Sequence, residues 1–327
     1  MKKALILGAG GFIGSHMVNR LKSEDYYVVG VDIKHPEFSE TKADKFYICD
    51  LTNKLKFNEI IANEEKFNEI YQYAADMGGA GFIFTGENDA KIMHSSISIN
   101  LNLLSIIEDN YKNFDEVKIF YSSSACIYPQ QIQEKSSNPG LKEDDAYPAD
   151  PDSEYGWEKL FSERLYLSFN KNFGLDIRIA RFHNVYGPEG TWDGGKEKAP
   201  AAVCRKIAQA KKIDEIEIWG DGKQTRSFLY IDDCIEATRR LMNSSFTKPI
   251  NIGSEEMVSI NQLVNIVSDT ANKNITINHI DGPLGVRGRN SNNELIRSVL
   301  GWDFTYSLSE GIKKTYDWIE NQVLEKK

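Results

Sequence analysis

The feature that most restricts the fold is an alternation. Residues 3–7, 27–31, 45–49, 69–74, 118–122 and 176–181 are short runs rich in Ile, Val, Leu, Tyr and Phe, each bounded by Gly, Asp or Ser. Helical patterns fill the intervals between them. Short apolar runs of this kind read as strands buried on both faces, and strands separated by helices are joined by right-handed crossovers into a parallel sheet. The expectation is an α/β fold with a doubly wound parallel sheet, whose ligand crevice lies beyond the carboxyl ends of the strands. The residues just after each strand therefore carry the most functional information.

The first such junction is Gly8-Ala9-Gly10-Gly11-Phe12-Ile13-Gly14, which follows the first run and opens a helical stretch. Gly8, Gly11 and Gly14 stand in a GxxGxxG spacing. Glycines at such a turn let the backbone approach a pyrophosphate and the helix pack closely, with the helix N-terminus facing the phosphates. Asp32 closes the second run, 18 residues after Gly14. A carboxylate there accepts hydrogen bonds from a ribose diol and repels a 2′-phosphate. The expected cofactor is thus NAD in a Rossmann domain, held by Gly8, Gly11, Phe12, Ile13, Gly14 and Asp32, with Lys34 a countervailing charge. Asp50 and Leu51, after the third run, are candidates for the adenine edge, although Asp50 equally suits the cap of a helix starting at Thr52.

After Arg181 the pattern gives way to loops rich in Gly, Pro and charge, notably 187–200 and 281–293. Residues 1–181 are expected to form the NAD-binding domain and 182–327 mainly a smaller substrate-binding lobe. Within the latter, 230–242 reads as a helix and 249–252 as a strand, so parts of 223–252 are expected to return to the first sheet. A chain of 327 residues, 41% hydrophobic and 27% charged, is long enough to bury a sizeable core. Its net charge of −9 sets the surface against nucleic acid and anionic lipid, so a phosphate-bearing ligand needs a local basic pocket. Cys49, Cys126, Cys204 and Cys234 form no CxxC pair, and His16, His35, His94, His183 and His279 lack metal-ligand spacing. No metal is expected, and a reducing compartment fits. No apolar run approaches the ~20 residues that span a bilayer, and the stretch 4–7 is too short for a signal-peptide core, which favours a cytoplasmic protein.

Two further junctions carry chemistry. Ser122-Ser123-Ser124-Ala125-Cys126 follows the fifth run, and Tyr155-Gly156-Trp157-Glu158-Lys159 sits early in a helical stretch. Spacing of i,i+4 puts Tyr155 and Lys159 on one helix face, where the ammonium can lower the phenol's pKa. The phenol then exchanges a proton with a substrate hydroxyl while hydride moves to or from the nicotinamide. Taken with the glycine loop, this set resembles the extended short-chain dehydrogenase/reductase superfamily, whose members often modify nucleotide sugars.

A narrower resemblance follows. Ala74-Ala75-Asp76-Met77-Gly78-Gly79, Ser123-Ser124-Ala125-Cys126-Ile127-Tyr128-Pro129 and the runs 181–188, 194–202, 219–222, 224–228 and 285–291 are similar to the GDP-mannose 3,5-epimerase family, in order and over nearly the whole chain. The extra residues after Gly81-Phe82 depart from it and bear on the substrate-entry loop. The resemblance implies that hydride leaves C4 of the sugar to NAD, with Tyr155 as base and Ser124 and Lys159 assisting. The 4-keto group acidifies the hydrogens at C3 and C5, Cys126 and Lys198 act as the acid/base pair there, and C4 is reduced again.

The resemblance also implies a GDP-sugar substrate, GDP-mannose foremost, and a homodimer. It adds Gly78, Asn184, Glu197, Ala199, Lys206, Gln224, Thr225 and Arg226 to Ser124, Cys126 and Lys198 as substrate contacts. Arg287 or Arg289 would pair its forked donors with the diphosphate. A carboxylate in place of Cys126 would have pointed to a 4,6-dehydratase. Nearby cations, Lys159 and the nicotinamide, are expected to favour the Cys126 thiolate. The bland readings are a small buried hydrophobe for Cys126 and a surface charge for Lys198. Cys49, Cys204 and Cys234 read as structural, and His183 as packing beneath its loop. Alternatives are another nucleotide-sugar epimerase or dehydratase of the superfamily, or a nucleotide-sugar-binding regulator without turnover.

Overall fold

Strand β1 (Lys3–Leu7) enters the core at once, turns through the glycine loop into α1 (Phe12–Ser23) and returns as β2 (Tyr27–Asp32). The alternation continues through β3 (Lys45–Ile48), α2 (Lys54–Ala62), β4 (Glu69–Gln72), the single turn α3 (Ala80–Ile83), α4 (Asp89–Asn110), β5 (Lys118–Ser124), α5 (Glu154–Phe173) and β6 (Asp176–Phe182). Next come β7 (Val185–Tyr186), α6 (Ala199–Gln209), β8 (Ile213–Trp219), β9 (Thr225–Ser227), β10 (Leu229–Tyr230), α7 (Ile231–Asn243) and β11 (Ile250–Ile252). The chain ends with β12 (Met257–Ser259), α8 (Ile260–Ala271), β13 (Asn274–Ile280), β14 (Gly288–Arg289), α9 (Glu294–Leu300) and α10 (Leu308–Glu325). The computed structural model describes residues 1–111, 114–283 and 285–326.

Among the described residues, seven strands form one wholly parallel sheet in the order β11-β6-β5-β4-β1-β2-β3. Chain order reverses between β1 and β4, so the loops leaving those two strands diverge and open a crevice at their carboxyl ends. The strand period puts Ala4 and Ile6 into one apolar layer, with Met17, Val18 and Leu21 of α1, and Leu5 and Leu7 into the other, with Phe57, Leu103 and Ile107. Each of these side chains except Ala4 contributes about 1.5–3 kcal/mol on full burial. The sheet is thereby covered on both faces, as a parallel sheet requires.

Two expected bounds shift for local reasons. β5 runs on to Ser124 because Ser122, Ser123 and Ser124 stay in register with Ala180, Arg181 and Phe182. The helix expected to start at Thr52 starts at Lys54, because Asn53 caps it, accepting the Lys56 N–H at 3.2 Å. Asp50 instead accepts the Thr52 N–H and hydroxyl at 2.9 and 2.7 Å.

Two pieces from beyond Arg181 come back to the main sheet. α7 packs on α1, and β11 pairs with β6, Ile250 opposite Ala180. The remaining elements make a separate layer in which α6, α8 and α10 pack on one another, beside the parallel pair β8–β13 and the small sheet β12-β9-β14. Among the described residues no helix is long and apolar enough to cross a membrane.

Candidate active site

A cleft of about 1150 Å³ lies at the carboxyl end of the sheet, between it and the α6–β8–β9 layer. That exceeds the ~300–1,000 Å³ of a site for one small ligand, which leaves room for two.

The half beside β1 and β2 is shaped by missing side chains. Gly8 has φ +86°, a Cβ on Gly14 would lie 2.0 Å from the Gly8 carbonyl oxygen, and one on Gly10 would lie 2.1 Å from that of Lys34. At Gly11 the same test meets only the Gly8 oxygen at 3.3 Å. Gly11 caps α1 with no side-chain partner, so the first N–H groups of that helix are left for an anion. Asp32 accepts the N–H groups of Gly10 at 2.9 Å and Ile33 at 2.6 Å, and burial raises its carboxyl above the usual range. Phe12, Ile13, Asp50 and Leu51 line the same half. A glycine cradle, an uncapped helix and a carboxylate at the second strand fit a dinucleotide.

The other half gathers the polar groups. Ser124 ends β5, and its hydroxyl accepts the Cys126 N–H at 3.2 Å and lies on the side of the Tyr155 phenol. α5 starts where the Ser153 hydroxyl accepts the Gly156 N–H at 3.3 Å. Gly156 is the contact point, since a Cβ there would lie 2.2 Å from the Cys126 carbonyl oxygen. Only a glycine lets the helix approach the turn after β5 so closely, and so brings Tyr155 to Ser124. Lys159, buried one turn on, donates to the Ser122 carbonyl at 3.1 Å, and its Nζ lies 5.6 Å from the Tyr155 ring centre. Burial raises the Tyr155 phenol well above its usual value, Cys126 adding to this, and the strongest downward pulls come from Ser124 and Arg289.

Cys126 is half-buried on the 3-10 turn Ala125–Ile127. Among the described residues, Arg289 donates to its Sγ from Nη1 at 3.1 Å, a cation the sequence did not point to there. Lys198 caps α6 and faces the same space, where burial pushes its ammonium down while Cys126 and Cys234 pull it up.

Of the expected substrate contacts, Gly78, Ser124, Cys126, Asn184, Glu197, Lys198, Ala199, Lys206, Gln224, Arg226 and Arg289 line the cleft. Thr225 and Arg287 do not. Alternation along β9 sends Arg226 to the cleft and turns Thr225 away, to donate to the Ser136 carbonyl at 2.6 Å. Arg287 makes a forked pair with Asp221, both bonds 2.8 Å, on the exterior. Gln224 Oε1 is buried with no hydrogen-bond partner among the described residues, so it is open to a ligand donor. Burial and the like charge of Arg289 push Arg226 below the usual guanidinium range, a strain that an anion in the cleft would relieve. His183 sits below, its Nε2 3.1 Å from Asn251 Oδ1, and burial lowers it to about 3.

The NAD dependent epimerase/dehydratase family matches residues 4–253. The GDP-mannose 3,5-epimerase of Arabidopsis thaliana is 47% identical over 331 residues, covering 99% of this chain and 84% of the relative. The chain belongs to the NAD dependent epimerase/dehydratase family. It is therefore an enzyme whose cofactor is NAD, and the cradle of Gly8, Gly10 and Gly14 is where that family's cofactor would be held. A structure of UDP-glucuronic acid 4-epimerase from Bacillus cereus, in complex with UDP-glucuronic acid and NAD, aligns with a TM-score of 0.81 at 28% identity, over 98% of this chain and 99% of that one. The structure of Pal from Bacillus thuringiensis gives 0.84 at 25%, over the same shares.

Four residues of this family member's site escaped the sequence reading. Gly10 and Gly156 are required by atoms of Lys34 and Cys126 that no spacing announces. Gln133 and Asp152 reach the cleft only through Arg289, which they hold at 2.6 and 2.9 Å.

Proposed function

We propose that this enzyme is a GDP-mannose 3,5-epimerase. The observation that carries the reading is the presence, in one cleft, of two separate proton-handling sets: Ser124, Tyr155 and Lys159 beside the dinucleotide cradle, and Cys126 with Lys198. Simple 4-epimerisation needs only the first set. The 47% identity to the Arabidopsis thaliana GDP-mannose 3,5-epimerase supports the choice of sugar.

The chemistry asked of NAD, when bound, is reversible removal of a hydride from C4 of the sugar. Tyr155 takes the proton of the C4 hydroxyl, with Ser124 pulling the phenol downward and the Lys159 charge close to its ring. The resulting ketone acidifies the neighbouring C3 and C5 hydrogens. Cys126, with its thiol against a guanidinium, and Lys198, whose ammonium burial weakens, then remove and return protons at those carbons. Tyr155 finally gives its proton back to the C4 oxygen. Arg226 and Lys206 are the cations we place on the diphosphate, with Asn184, Glu197, Ala199, Gln224 and Gly78 shaping the sugar and base sites.

In the same reading, residues 1–181 with the returning α7 and β11 hold the cofactor, and the rest of 182–327 holds the nucleotide sugar. The exposed Leu101 of α4 and the exposed Trp157 and Phe161 of α5 favour a homodimer through these helices. A cytoplasmic location accords with the free thiols.

Two variants test the division of labour. Tyr155→Phe should abolish both NADH formation and exchange of sugar protons with solvent. Cys126→Ser should keep transient NADH formation and lose most exchange, because a serine hydroxyl is a far weaker base. Wild-type exchange in Cys126→Ser would refute the two-set mechanism.

A further inference from the structure

The guanidinium of Arg289 is buried and engaged at all three nitrogens: Nε to Gln133 Oε1 at 2.6 Å, Nη2 to Asp152 Oδ2 at 2.9 Å and Nη1 to Cys126 Sγ at 3.1 Å. Gln133 belongs to the short turn Gln130–Gln133 and Asp152 to the segment just before α5, so two parts of the first lobe clamp an arginine delivered by β14 of the second. The clamp fixes the direction of Nη1. Sulfur is a weak acceptor as a thiol and a strong one as a thiolate, so a donor held against it favours the ionised form.

We infer that Arg289 is a positioning residue for Cys126: held by Asp152 and Gln133, it fixes the sulfur in front of the sugar and sets a positive charge against it, and does not serve as the diphosphate clamp. The inference rests on the two-set reading above and deepens it. In the proton step the sugar's C–H bond breaks, an S–H bond forms, and the electron pair passes into the enolate of the ketone. The Arg289 charge favours the state before that step, while its clamp stops it following the proton. Lys198, Arg226 and Tyr155 also face the sulfur electrostatically, and Asp152 stands behind Arg289 with the opposite charge. Lys198 and Arg226 remain when Arg289 is replaced, so the effect of the replacement is a partial one. Diphosphate binding then falls to Lys206 and to Arg226, which reaches the cleft from β9.

The test is alkylation of Cys126 by iodoacetamide in the ligand-free, full-length protein from about pH 6 to about pH 9, read by peptide mass spectrometry. Cys49, Cys204 and Cys234 are buried and act as internal controls. Arg289→Met should lower the rate at neutral pH by about tenfold and move the midpoint of the pH profile upward, as loss of one charge-assisted bond predicts. Arg289→Lys should restore part of the rate. Asp152→Asn, which removes the opposing charge and leaves an amide oxygen to accept from Nη2, should leave the midpoint unchanged or lower. In turnover of GDP-mannose, Arg289→Met should reduce kcat with little change in KM.

A wild-type pH profile in folded Arg289→Met overturns the inference, and so does a raised KM with unchanged kcat, the signature of a diphosphate clamp. If Arg289→Met does not fold, Arg289→Lys decides: a midpoint shifted upward supports the inference and an unchanged one overturns it. The alkylation profile needs no substrate, so failure of GDP-mannose to turn over in the wild type would refute the proposed function and leave this result readable.

Discussion

Three glycines of one loop should respond differently to the same added methyl group. A Cβ on Gly14 would sit 2.0 Å from the Gly8 carbonyl oxygen, just past buried β1, and one on Gly10 2.1 Å from the Lys34 carbonyl oxygen, two residues past β2. Relief to ordinary contact needs a shift of about 1 Å in a loop fixed on both sides, and overpacking of this kind costs about 1–3 kcal/mol. At roughly 2–4 °C per kcal/mol for a domain of this size, Gly10→Ala and Gly14→Ala should lower Tm by roughly 4–10 °C. NAD affinity should fall further, because a displacement of about 1 Å at a binding loop costs on the order of 100-fold. Gly11→Ala is the control, with φ −88° and a new contact of 3.3 Å, and its ligand-free Tm should stay within about 2 °C of wild type. Thermal melts without ligand and calorimetric titration with NAD measure both quantities. Melting of Gly11→Ala at the level of the other two would refute the steric reasoning, as would wild-type melting of Gly14→Ala.

Two other outcomes follow from single groups. Asp32 should make the protein prefer NAD to NADP, and Asp32→Ala should narrow that preference by removing a charge that repels a 2′-phosphate; equal binding of both cofactors by the wild type, measured by titration, would contradict this role. His183 is held neutral, with its pKa lowered to about 3 by burial, whereas in the unfolded chain it takes up a proton below about pH 6.5. The unfolded state therefore binds more protons between those values, so this group's stabilisation is complete above about pH 6.5 and is lost as pH falls towards 3, by up to ~1.4 kcal/mol per pH unit. Urea melts of wild type and His183→Gln at pH near 7 and near 5 should show a steeper loss in the wild type, and parallel losses would exclude His183 as the source.

The alternation of apolar runs was enough to place all six strands of the first half within about two residues, since strands buried on both faces, as all but the edge strand β3 are, leave little freedom in composition. The return of β11 to the sheet was also legible, from a helix followed by a short apolar run. Register within the small sheet was not. Thr225 and Arg226 are neighbours in sequence, and only the strand's alternation decides which of them meets the cleft. Arg287 and Arg289 look equally suited to an anion, yet Asp221 takes one to the exterior, and Gln133, Asp152 and Cys126 surround the other. Those partners lie more than a hundred residues from Arg289 in the chain, beyond the reach of any local pattern. Gly10 and Gly156 were missed for the same reason, because the atoms that exclude a side chain there come from other segments.

The central claim is that this cleft carries a proton acid/base set acting beside the oxidised carbon as well as the oxidising one. The most direct measurement is nuclear magnetic resonance of GDP-mannose re-isolated after incubation with the wild-type protein in deuterated water. Deuterium at both C3 and C5, with the C4 hydrogen retained, is the predicted result. Retention of protium at C3 and C5, whatever happens at C4, would contradict the account.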